Sequence, residues 1–173
     1  GAALFANGAL GNATATTLVM SGAITPSQTA GIVGTTTNNN ADAGSFGEYQ
    51  SASRSSASPL SLTTATAANV TSISLTAGDW DCTGVVFFSL AASTSITALL
   101  EGIHTVSATV GPANTYATTR MPASVPGAVA IARVCPTLRL LLTATTTVYL
   151  IAYAEFTVST MTTFGEIRCR RVR

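Results

Sequence analysis

The single histidine, His104, stands in the run EGIHTV, three residues after Glu101. In an extended chain an odd offset sends two side chains to opposite faces, so Glu101 cannot orient His104, and a nucleophile–base–acid relay lacks its third member. Asp79 and Asp81 are two residues apart and share a face, an arrangement from which paired carboxylates could cleave a glycoside or hold a cation. Gly78 before them and Trp80 between them favour a plainer role, in which both acids are turn formers exposing an edge while Trp80 enters the core. Asn38, Asn39, Asn40 and Asp42 offer oxygens to calcium, but Gly44 comes one place too late for an EF-hand loop. No GxSxG, HExxH or phosphate-binding loop occurs. This inventory predicts no catalytic residue, no metal site and no cofactor, and so a protein that is not an enzyme.

The three cysteines, Cys82, Cys135 and Cys169, are far apart and form no CxxC pair. That spacing argues against a zinc site and against a small disulfide scaffold. An odd number leaves at least one thiol free or paired between chains. Each is read first as a small buried hydrophobe, with a covalent cross-link as the alternative. All eight cations are arginine, whose planar guanidinium suits desolvated contacts better than an ammonium does. Near the C-terminus, alternation places Glu166, Arg168 and Arg170 on one strand face, opposite Ile167 and Cys169. Together with Glu155, these are candidates for ion pairs between chains.

Charged residues make up only 9% of the chain, against a usual ~25%. The 47% that is hydrophobic is scattered among Ser, Thr, Ala and Gly and never reaches the ~20 consecutive apolar residues that span a bilayer. With a net charge of +1 the chain has no field to draw nucleic acid or an anionic membrane, and neither is expected as a partner. Gly1 to Leu10 shows no initiator Met, basic leader or apolar signal core, as expected of a fragment or a trimmed chain.

From Gly1 to Gly44 the apolar residues come in brief clusters without a period, which predicts an extended N-terminal arm ending in the turn-rich run TTTNNNADAG. Residues 45–173 read as a β-sandwich domain. Strands are predicted over Gly47–Ala52, Leu60–Thr64, Val70–Leu75, Trp80–Leu90, Ile96–Val106, Leu138–Thr143, Thr147–Val158 and Thr163–Val172, separated by turn signals such as Ala77-Gly78-Asp79, Gly111-Pro112 and Val125-Pro126-Gly127. Their number and spacing fit an all-β, antiparallel jelly roll better than a closed up-and-down barrel.

Several of these strands are apolar on both faces. Within Thr147–Val158, Val148, Leu150, Ala152, Ala154, Phe156 and Val158 line one side, yet Tyr149, Ile151 and Tyr153 line the other. Val85 to Phe88 and Leu138 to Leu142 repeat the pattern. A two-layer sandwich buries one face of each sheet, so the second apolar face predicts a homo-oligomer interface including Val85, Phe87, Leu141, Tyr149, Ile151 and Tyr153. The alternative is that residues 1–44 fold back over that face.

The stretches GIVGTTTNNNADAGSFGEY (Gly31–Tyr49), TAANVTSISLTAGDWDCTGVVFF (Thr66–Phe88) and TTTVYLIAYAEFTVSTMTTFGEIRCRRVR (Thr145–Arg173) resemble a recurring C-terminal domain of bacteriophage and prophage virion proteins. Cys82 and Cys169 depart from that pattern, which more often has small or β-branched apolar residues there. The layout of the last stretch is also similar to the closing strands of trimeric C1q-like jelly rolls, a likeness of fold only. The resemblance implies a homotrimeric structural protein on the surface of the virion, as a head fibre, decoration protein or tail-fibre element. Residues 1–44 would anchor it to other virion proteins. A tail-fibre tip that binds a host receptor or surface glycan is the alternative, for which Tyr116 near Asn114 is the one hint.

Overall fold

The computed structural model describes residues 36–121 and 129–173. Nine strands and no helix form among them: β1 (Tyr49–Arg54), β2 (Leu60–Ser61), β3 (Ala68–Leu75), β4 (Gly78–Leu90), β5 (Ser95–His104), β6 (Tyr116–Arg120), β7 (Ala130–Leu142), β8 (Thr146–Thr157) and β9 (Met161–Arg171). They make two antiparallel sheets, β1-β9-β4-β7 with β2 beside β9, and β3-β8-β5-β6. We refer to these as the first and second sheets.

The pairing is nested. β1 pairs with β9, β3 with β8, β4 with β7 and β5 with β6. Successive pairs fall in alternate sheets, so the chain is a long hairpin wrapped around its own core, which is the jelly-roll topology. Alternation along the strands decides what is buried. In β4 the even positions Trp80, Cys82, Val86, Phe88 and Leu90 point inward, while Thr83, Val85, Phe87 and Ser89 point out. Inward residues of β8 and β9, including Leu150, Ala154 and Ile167, meet them across the sandwich.

The sandwich unit runs from Asn39 to Arg173 and so begins six residues before the predicted boundary at Ser45. The reason is local bonding. Asn40 donates through Nδ2 to the Tyr49 carbonyl at 2.7 Å and accepts the Tyr49 N–H at 2.9 Å. The Gly44 N–H donates to Glu48 at 2.8 Å. The rest of the predicted arm, residues 1–35, lies outside the described residues, as does the predicted turn Val125-Pro126-Gly127.

Three strands differ from expectation. β6 was not predicted, and β7 begins eight residues before Leu138, because its first half contains Arg133 and Pro136 and reads as a break. The run predicted over Leu60–Thr64 pairs only at Leu60 and Ser61.

Candidate functional site

The six residues predicted as one interface lie on two opposite outer faces. Val85, Phe87 and Leu141 belong to the first sheet, and Tyr149, Ile151 and Tyr153 to the second.

On the second sheet, Ile151 is already covered. The loop after β5 returns to β3, where Asn69 donates through Nδ2 to Ser107 Oγ at 2.7 Å and accepts the Ala108 N–H at 2.7 Å. Because β8 lies between β5 and β3, this loop must pass over β8, and Ile151 is left 1% exposed. The loop after β5 thus lies on the same side of the sheet as Ile151. Tyr149 and Tyr153 are half-buried, and the Tyr153 hydroxyl donates to Glu155 at 2.9 Å. Glu155 also faces Arg120 at 3.8 Å. Ile151 is thus buried already within the single chain, while Tyr149 and Tyr153 are partly open.

The first sheet carries the other three on its outer face. Register places Val134 on β7, Val85 on β4, Glu166 on β9 and Ser53 on β1 along one rung. The next rung holds Ala132, Phe87 and Phe164, the two rings stacked at 4.8 Å and nearly parallel. Val134 is 66% exposed, and Leu141, further along β7, is 65% exposed. Between β1, β9 and β4 this face sinks into a groove of about 490 Å³ whose floor includes Val85, Phe87 and Phe164. Ser53, Arg54, Ser55, Glu166 and Arg168 also line it. Val134 and Phe164 were not among the predicted interface residues, although the alternation of β9 about Gly165 would have marked Phe164.

The charged candidates for contacts between chains find partners within the chain, Arg170 excepted. Glu166 accepts from Arg168 Nη2 at 2.7 Å, and that bond holds its carboxyl below the usual range. Arg170 is exposed and has no ion pair closer than 4 Å among the described residues. Asp79 is not the exposed turn former expected. It is buried against Arg139, which donates through Nε at 2.9 Å and Nη2 at 2.6 Å, and Arg173 lies 3.2 Å away. Arg139 accordingly holds the Asp79 carboxyl below its ordinary range. Both oxygens of the Asp79 carboxylate thus accept from arginine. Among the described residues no group of three or more His, Cys, Asp or Glu side chains is placed to hold a metal ion.

Cys82 and Cys169 face each other across β4 and β9 and form a disulfide within the chain, with Cα atoms 4.1 Å apart. This corrects the reading of both as separate buried hydrophobes and removes them as bridges between chains. Cys135 is free and buried, and burial pushes its thiol up to about 12, with Glu101 adding to the effect. His104 sits on the outer side, accepting the Val106 N–H at Nδ1, while Glu101 points into the core as alternation requires. There Glu101 accepts from Arg133 Nε at 3.2 Å. Burial pushes its carboxyl up to about 7 despite that arginine.

No family model, curated protein or solved structure matches this chain.

Proposed function

We propose that this chain is a non-catalytic structural domain of a bacteriophage particle that works by assembling with copies of itself, as a homotrimer, through the outer face of its first sheet. The observation that carries the reading is the outward-facing apolar group of exposed Val134 and half-buried Val85, Phe87 and Phe164, on a domain whose carboxylates Asp79, Glu101 and Glu166 are held by arginines of the same chain. An apolar patch of that kind marks an interaction surface. The virion setting rests on the resemblance of Thr66–Phe88 and Thr145–Arg173 to phage structural domains. Residues 1–44 would then tie the domain to another virion protein, on the capsid or on the tail. Sedimentation of the full chain, with labelling of particles by an antibody against residues 45–173, tests both parts. A monomer, or particles that carry no label, would refute the corresponding half.

A second reading draws on the groove itself. Ser53, Ser55 and the Glu166–Arg168 pair beside two phenylalanine rings could hydrogen-bond and stack on a host-surface sugar. Binding to a glycan array that is lost in Phe164→Ala would favour it.

A further inference from the structure

Two arginines tie the sheets together along opposite sides of the sandwich. On one side Arg54 of β1 donates through Nε to the Val70 carbonyl of β3 at 2.6 Å, a bond whose acceptor does not titrate. On the other, Arg133 of β7 donates through Nε to Glu101 of β5 at 3.2 Å, and among the described residues this is the one ion pair that joins the two sheets. Glu101 is fully buried. Arg133 bonds only its Oε1, and Oε2 has no partner among the described residues.

β7 is also divided close to this pair. Its register with β4 slips between Cys82 and Gly84, leaving Pro136 and Thr137 opposite Thr83 alone. Such a bulge interrupts the ladder, and proline brings no N–H to it. Beyond the break Arg139 fastens the strand to Asp79. Before it, in residues 130–135, Arg133 is the one charged residue, and its carboxylate partner is Glu101.

We propose that residues 130–135 form a pH-sensitive latch, hinged at Pro136, that holds to the second sheet while the Glu101 carboxyl keeps its proton and loosens when that proton is lost. A neutral acid with one hydrogen bond is tolerated in the core, whereas a carboxylate there forfeits the water that would solvate both oxygens. Burial accordingly outweighs Arg133 and pushes the carboxyl up to about 7 from 4.5. Opening the latch returns Glu101 to water, so opening grows easier from about pH 4.5 and levels off above about 7. Cys135 is the one further ionisable side chain facing Glu101. The ionisable groups of β6 and β8, and His104 of β5, stand on the outer face of the second sheet. Asp79 and Asp81 of β4 face Arg139, and residues 1–35 and 122–128 contain no ionisable side chain.

The free thiol reports the latch. Cys135 is buried on the latch segment, and Cys82 is bonded to Cys169, so Cys135 alone can react in the folded domain. The full chain and its Glu101→Gln variant are labelled with dithiodipyridine from about pH 5 to 8, and their rates are compared at each pH so that the thiol's own titration cancels. The wild-type rate relative to the variant should rise about tenfold per pH unit at first and level off above about 7. Should Glu101→Gln fail to fold, Glu101→Leu is the neutral reference. In hydrogen exchange on the same proteins, amides of residues 131–135 should follow that curve and those of β1 should not. A flat ratio, or a thiol unreactive in both proteins at every pH, would overturn the proposal. So would β1 amides that follow with the same slope, since the whole domain would then open at once.

Discussion

Arg171 donates through Nε to the Glu48 carboxylate at 2.9 Å, in a site where the two side chains are 5% and 3% exposed. The same guanidinium donates to the Ala77 carbonyl at 2.8 Å and to Thr76 Oγ1 at 2.6 Å, and it lies 4.4 Å from the Trp80 ring centre. Glu48 also takes the Gly44 N–H, the largest cause of its lowered carboxyl. One buried arginine thus fastens the last strand to the turn before β4 and to the segment entering β1. Breaking such a pair leaves a charge buried alone. Arg171→Met should therefore lower unfolding free energy by about 3–5 kcal/mol, measured in urea. The paired change Arg171→Met with Glu48→Gln should recover part of the loss, and no recovery would show that packing on Trp80 dominates.

Gly78 is tied to the same arginine. Its φ is +146°, and a Cβ there would fall on the Arg171 guanidinium. Gly78→Ala should destabilise the fold to a degree comparable with Arg171→Met, and combining the two should cost less than their sum, because the side chain displaced is already gone. Additive losses would contradict this.

The core carboxyl of Glu101 gives stability a pH slope of unusual sign. Its folded pKa is raised to about 7 from 4.5 by burial, so its contribution is fully present below the unfolded value and is lost as pH rises through about 7. The shift corresponds to about 3 kcal/mol. Arg133 and Cys135 are the titratable and charged groups identified around it. Glu48, Asp79 and Glu166 act oppositely, since their lowered values remove stability as pH falls below the ordinary carboxylate range. Urea midpoints should therefore peak near pH 4.5 and fall from there to about pH 7, and Glu101→Gln should flatten that fall. An unchanged slope in that variant would contradict the assignment.

Cys82 and Cys169 are 87 residues apart in sequence, so their bond closes a long loop. Replacing both by Val should remove about 2–4 kcal/mol, without changing the oligomer on a non-reducing gel. Loss of a covalent dimer band on reduction of the wild-type protein would instead show bonds between chains.

Val158, in the turn between β8 and β9, has a φ of +78° and is almost fully exposed. A β-branched residue is strained there. Val158→Gly should raise stability by about 1 kcal/mol, and thermal unfolding that shows a loss would contradict the strained backbone.

The long strands were legible because period-two alternation is written locally: β4, β8 and β9 follow from Val85–Phe88, Val148–Phe156 and Ile167–Arg170. β6 was not, since YATTR has only one large apolar residue and no turn that fixes its partner. The first half of β7 hid behind Pro136, which is tolerated because the strand is an edge. What joins distant strands was also out of reach. The Cys82–Cys169 bond depends on β4 and β9 becoming neighbours, and the burial of Glu101 depends on Arg133 arriving from the other sheet. Ile151 is a case of the same kind. Its apolar side chain announces that it is buried, but not by what.

Sedimentation of three full-length proteins at micromolar concentration decides which face assembles. The wild type should run as a trimer. Phe87→Asp, on the outer face of the first sheet, should run as a folded monomer, because a carboxylate buried there would have no partner, while Tyr149→Asp, on the second sheet, should remain a trimer. A wild-type chain that is monomeric, or a Phe87→Asp protein that stays trimeric while Tyr149→Asp falls apart, would contradict the central claim.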